Sequence, residues 1–186
     1  MTALELPRFL LISGTGRDSG KTFLACNIIG KFKGIVPLIA LKISPHRHNL
    51  LLGGNVLVEE ENLLIAEETD PGSGKDSSRM LAAGAFRSFF IIATDEMLVK
   101  ATEKIISLAG RDSFYVCEAG GLRRFANPGV FLIVSHQDES RRKPDPYYLK
   151  SLADACITGG QQHDFDMNRI MISENRWILK NSHDTL

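Results

Sequence analysis

The chain has 186 residues and carries 22 Lys plus Arg against 22 Asp plus Glu, so its net charge is zero. That length supports one domain over 1–186 with a substantial core, and the lack of a basic excess argues against a nucleic-acid partner. Hydrophobic residues at 44% and charged residues at 24% are those of a globular protein; no apolar run approaches the roughly 18 residues of a membrane span, and the opening MTALELPR lacks the pattern of a signal peptide, so a cytoplasmic location and no membrane partner are expected.

In chain order, RFLLIS (8–13) reads as a buried strand and KTFLACNIIGKF (21–32) as a helix, with Phe23, Leu24, Ile28, Ile29 and Phe32 near helical spacing. GIVPLIALKI (34–43) reads as a second strand with Pro37 near its start. NVLVEE and ENLLIAEE, around Glu60 and Glu61, read as a β-hairpin excursion over about 54–68. DPGSGKDS (70–77) is a loop ending at a helix start, with Asp76 or Ser77 as N-cap and SRMLAAGA as the helix. RSFFIIAT (87–94) is a strand, and DEMLVKATEKIISLAG a long amphipathic helix closed by Gly110. SFYVCEAGG (113–121) and GVFLIVS (129–135) are further core strands, followed by the polar surface loop 136–146. DPYYLKSLA is expected to be helical, and DACITGG and NRIMIS to be short strands. Strands alternating with helices imply an α/β fold: a three-layer, doubly wound, mainly parallel sheet. Cys26, Cys117 and Cys156 are widely separated in apolar stretches, which suggests reduced, buried thiols.

The stretch GTGRDSGKTF (14–23) lies between the first strand and the first helix. A strand running through a glycine-rich turn into a helix presents successive main-chain N–H groups and the positive end of a helix dipole, the conditions for binding phosphate. Lys21 can then reach the β and γ phosphates, and the Thr22 hydroxyl can bind Mg²⁺. These parts make a P-loop, with Gly14, Thr15, Gly16, Arg17, Asp18, Ser19, Gly20, Lys21, Thr22 and Phe23 as nucleotide-binding candidates. The common P-loop sets its first glycine five residues before the second; here Thr15 holds that place, and Gly14 stands six before Gly20. A P-loop also needs an acidic partner for the metal, and Glu118, at the end of FYVCEAGG, supplies one; Thr22 and Glu118 are the metal candidates.

Several segments together resemble the MobB family of molybdopterin-guanine dinucleotide biosynthesis accessory proteins. They are SGTGRDSGKTFL, LIALKIS with the following PHRH, DPGSGKDSSRMLAAGA, and SFYVCEAGG with GVFLIVS. The resemblance spans about residues 8–135 and fades in the last third. It implies a P-loop NTPase fold, binding of GTP with Mg²⁺, weak GTPase activity, and a role beside the nucleotidyltransferase that attaches a guanine nucleotide to molybdopterin. It also implies a homodimer, with the hairpin as an interface element. In two respects the chain departs from this picture: the longer loop spacing is similar to that of dethiobiotin synthetase, an ATP-dependent ligase of the same superfamily, and the guanine-reading Asn-Lys-x-Asp is missing. ATP ligation and a nucleotide-gated scaffold without turnover are therefore the alternatives.

Lys75, Asp76 and Ser77 read either as a helix cap with a surface lysine or as a cation and carboxylate near the phosphates; the resemblance favours function, with Lys21, Asp76 and Glu118 as the catalytic set. His46 and His48 are ligands for phosphate, pterin or metal, or are solvated. Arg123 and Arg124 bind an anion or form a surface pair, and Asp18 orients water or stabilises the turn. Arg141, Arg142 and Lys143 read as a solvated loop and Trp177 as packing, while Thr158-Gly159-Gly160 can lie near the base. With no strong base and no arginine finger in the loop, slow intrinsic hydrolysis is expected.

Overall fold

The fold was analysed in a computed structural model, which describes residues 3–45, 54–142, 144 and 148–181. Strand β1 (Leu4–Gly14) is buried without a break from Phe9 to Ser13, as expected of a strand covered on both faces. It leads through a turn into helix α1 (Lys21–Phe32). Then follow β2 (Leu38–Ser44), β3 (Gly54–Glu60), β4 (Leu63–Glu68), α2 (Asp76–Ala82), β5 (Arg87–Ala93), α3 (Leu98–Ala109), β6 (Phe114–Ala119), β7 (Ala126–Ser135), β8 (Ala155–Thr158), β9 (Ile170–Ser173) and β10 (Arg176–Leu179). Eight strands form one mixed sheet in the order β3-β4-β5-β2-β6-β1-β7-β8. From β5 to β8 the neighbours run parallel; β4 joins β5, and β3 joins β4, antiparallel.

Alternation along the strands divides the core in two. Leu10 and Ile12 of β1 face α1, α2 and the β9–β10 hairpin, in a cluster with Leu24, Ile28, Met80, Val116 and Trp177. Phe9 and Leu11 face α3, in a cluster with Leu41, Leu98, Ile105, Tyr115 and Cys117. Helices therefore cover both faces. Phe9 stacks on its register partner Tyr115 with ring centroids 4.3 Å apart. Trp177, fully buried, meets Phe32 and Phe114 edge-on, so packing is its role as read from sequence. Among the described residues no helix is long and apolar enough to cross a membrane.

Several expectations need correction. The hairpin is no excursion: β4 pairs with β5 from Leu63 to Glu68 and so extends the main sheet. Strand β2 starts at Leu38, after Gly34 at φ 78° and Pro37, which lacks the N–H a ladder needs. Helix α2 starts at Asp76, not Ser78, and its N-cap position is held by Lys75 with no side-chain cap. A 3-10 turn (Asp95–Met97) precedes α3, and β7 begins at Ala126. Of DPYYLKSLA, 145–147 lie outside the described residues and Leu149–Leu152 is a 3-10 turn. NRIMIS pairs with β10 in a separate two-stranded sheet, turned through Glu174 and Asn175 at φ 47° and 63°. The cysteines are free, but only Cys117 is buried; Cys26 is half-buried and Cys156 exposed.

Candidate functional site

The carboxyl ends of the six parallel strands share one edge of the sheet, where open α/β sheets bind ligands. β1 delivers the 14–20 turn to that edge. Gly20 sits at φ 93°, a left-handed conformation that a side chain would strain. A hydrogen-bonded turn at 17–18 precedes α1; among the described residues no main-chain amide from Gly20 to Phe23 donates to a main-chain carbonyl, and the first helical bond runs from Leu24 N–H to the Gly20 carbonyl at 3.1 Å. This open row is the unsatisfied start of α1. Thr15 is different. Its amide donates to the Val134 carbonyl at 3.2 Å and its Oγ1 accepts from the His136 amide at 2.8 Å, so it props the turn against β7.

Lys21 doubles back over this row. Its Nζ donates to the Gly16 carbonyl at 2.8 Å and to Ser19 Oγ at 3.3 Å. Its stem crosses Gly14 so closely that a Cβ there would lie 2.7 Å from Lys21 Cδ. Burial lowers the Lys21 pKa, Glu118 opposes the shift, and Lys42 adds to it.

Behind the lysine four side chains converge. Register sets Ile12, Glu118 and Lys42 side by side across β1, β6 and β2. Thr22 Oγ1 donates to Glu118 Oε2 at 2.7 Å, and Lys42 Nζ reaches Glu118 Oε1 at 2.5 Å and Asp76 Oδ2 at 2.7 Å. Glu118 is 2% exposed, so these bonds are what let a carboxylate sit there. For Asp76, burial pushes the carboxyl up, but the Lys42 hydrogen bond and charge outweigh it, with help from Thr22 and Arg79, and hold it below its ordinary value. For Lys42, burial pulls the pKa down; Glu118 and Asp76 more than reverse that and raise it. Asp76 is carried into place by α2, whose first turn is anchored by buried Glu68. Glu68 Oε2 accepts from Ser77 Oγ at 3.0 Å, and its Oε1 accepts from the Asp70 amide at 3.1 Å.

Thus the turn, Lys21, Thr22, Asp76 and Glu118, separated in sequence, meet at one place. Thr22, Asp76 and Glu118 offer the hard oxygen donors that Mg²⁺ accepts in small number beside water and phosphate. Among the described residues no group of three or more His, Cys, Asp or Glu is placed to hold a metal ion. No family model and no curated protein matches the chain.

Other candidates separate. Arg17 and Asp18 are exposed on the turn, Asp18 at φ 55°. Phe23 meets the His163 ring edge-on at 5.2 Å. Arg123 donates to the Ala126 carbonyl and Asn127 Oδ1 at 3.1 and 2.8 Å, pinning the start of β7. Arg124 pairs with Asp95. His46, His48 and Lys143 lie outside the described residues. Arg141 is not simply solvated: its carbonyl stands over Gly16, 2.8 Å from where a Cβ would be, and its guanidinium is 3.7 Å from Asp18. The segment after Thr158 also reaches the turn, through Gln162 Nε2, which donates to the Ser19 carbonyl at 3.0 Å.

Lys42 and Gln162 were missed in the sequence. Lys42 is a lone charge inside the apolar run LIALKIS, and that run is the one signal that could have singled it out: a lysine in a buried strand needs an anion. For Gln162 no local pattern exists.

Proposed function

We propose that the chain is a P-loop protein that binds a nucleoside triphosphate across the Gly14–Thr22 turn and hydrolyses it slowly. The observation that carries this reading is the path of Lys21, folded over a row of main-chain amides that have no main-chain acceptor. An ammonium beside open amides at a helix start neutralises and orients β and γ phosphates. On binding, phosphate oxygens take the place of the Gly16 carbonyl and Ser19 hydroxyl as partners of Lys21. Thr22 and Glu118 would hold Mg²⁺, with Asp76 beside them. Bound Mg²⁺ supplies charge neutralisation on the phosphates. Asp76, kept ionised by Lys42, accepts a hydrogen bond from the attacking water. Arg141 pairs with Asp18 at 3.7 Å, and the turn sequence offers no strong base and no arginine finger, so turnover without a partner is slow.

The choice of GTP, a role beside a molybdopterin nucleotidyltransferase and homodimer formation rest on the MobB resemblance. The second reading, ATP-dependent ligation, rests on the longer loop spacing, with Gly14 six residues before Gly20, which is similar to that of dethiobiotin synthetase. Calorimetric titration with Mg·GTP and Mg·ATP, together with phosphate release, separates the two. We expect tighter binding of GTP and slow release of phosphate. Preference for ATP turns the assignment to the ligase, and binding of neither nucleotide overturns both. Light scattering at twice the 20.6 kDa chain mass is the expected result for the dimer.

A further inference from the structure

A second site lies across the strand ends from the lysine cluster. Alternation sends Lys42 and Glu118 towards α1 and α2, and their chain neighbours Ile43 and Ala119 towards α3. There Ile43, Ala93, Leu98 and Ala119 wall a cavity of about 160 Å³, with Gly120 and Gly121 beside it and Arg124 and Asp95 at its polar end. The two charges are unequally placed. The Arg124 side chain is 15% exposed, whereas that of Asp95 is 53% exposed. Arg124 is fixed independently of Asp95: its Nε donates to the Gly121 carbonyl at 3.1 Å and its guanidinium lies 5.0 Å from the centre of the Phe125 ring. The cation thus belongs to the wall, and Asp95, one of its partners, sits at the surface, where a ligand carboxylate can take its place.

The geometry points to a binding site for a small monocarboxylate with an apolar body, its carboxylate replacing Asp95 on Arg124. Size supports this: the pocket is half open, and its volume is close to that of an enclosed apolar cavity of about 150 Å³ that holds benzene, so it suits a body of about that size. Charge supports it too. A planar guanidinium accepts a carboxylate in two parallel hydrogen bonds, and with Asp95 still nearby a monoanion is repelled less than a phosphate dianion. The position, outside the carboxyl ends of β2, β5 and β6, is where such sheets take ligands. The inference does not depend on the nucleotide reading.

The test uses the ¹⁵N-labelled full chain without nucleotide, titrated with hexanoate and, separately, with hexanol. We expect hexanoate to move the amide signals of Ala93, Gly120 and Gly121, and hexanol to bind at least about tenfold more weakly, the scale of one charge-assisted hydrogen-bond pair. In Arg124→Gln, hexanoate falls to the level of hexanol. In Asp95→Asn, hexanoate binds about threefold tighter, because a surface competitor is gone. Asp95 is exposed, so this variant keeps the fold. Equal binding of hexanoate and hexanol, no movement of these signals, or weaker hexanoate binding in Asp95→Asn overturns the site.

Discussion

Lys42 bridges Asp76 and Glu118, and its removal leaves a carboxylate that is 2% exposed with, among the described residues, the Thr22 hydroxyl as its side-chain hydrogen-bond partner. Breaking a buried pair from one side is costly, so Lys42→Met is expected to lose about 3 kcal/mol at pH 7, read as a lower midpoint in urea unfolding. An unchanged midpoint would mean that water already screens the pair. The pH window follows from the two shifts. Asp76 is held below its ordinary value, so its contribution is present above roughly pH 4 and is lost as pH falls through the lowered value. Lys42 is raised, so its contribution is full below roughly pH 10.4 and is lost as pH climbs through the raised value. Between these limits wild-type stability from the cluster is flat, and in Lys42→Met the acid limb attributable to Asp76 flattens. Lys21 behaves oppositely, since burial lowers it. Its charged form is the one that attracts phosphate, so affinity for a triphosphate falls as pH rises, beginning below the usual lysine range; a titration of binding against pH between 7 and 10 checks this.

At the scale of elements, the β9–β10 hairpin closes the α1 face with Trp177. We expect Trp177→Ala to cost about 3 to 4 kcal/mol, measured by circular dichroism since the chain's one tryptophan is removed. Trp177→Phe is expected to cost much less than its lost volume implies. Among the described residues the buried indole Nε1 has no hydrogen-bond partner, and phenylalanine removes that unsatisfied donor. The pattern of strands was legible because both-sides-buried runs such as FLLIS and FYVCEA leave long apolar blocks. The role of Asp76 was only half legible. As a loop residue it reads as a cap, but its carboxylate leaves the helix for Lys42 on β2, a partner thirty-four residues earlier that register alone brings near. The hairpin was legible as a hairpin, whereas its joining to β5 depends on the buried face of LLIAEE finding PheIle-rich β5, a long-range choice that local turn chemistry does not encode.

The whole molecule has no net charge, so attraction for an anion has to be built locally from the turn amides, Lys21 and the start of α1. The turn was readable because its residue types are dictated by close approach and left-handed backbone, and these leave glycines in the sequence. The segments that lean on it from 136–142 and from Gln162 were not, since they meet it only through the order β6-β1-β7-β8. The most direct test of the account is thermal unfolding of the wild type and Lys21→Ala with Mg·GTP and with Mg·ATP. At about 100 times its dissociation constant, the preferred nucleotide should stabilise the wild type by roughly 2.7 kcal/mol, or some 5 to 10 °C, and at the same concentration leave Lys21→Ala nearly unshifted. Equal upward shifts in the two proteins, or no shift of the wild type with either nucleotide, would contradict it.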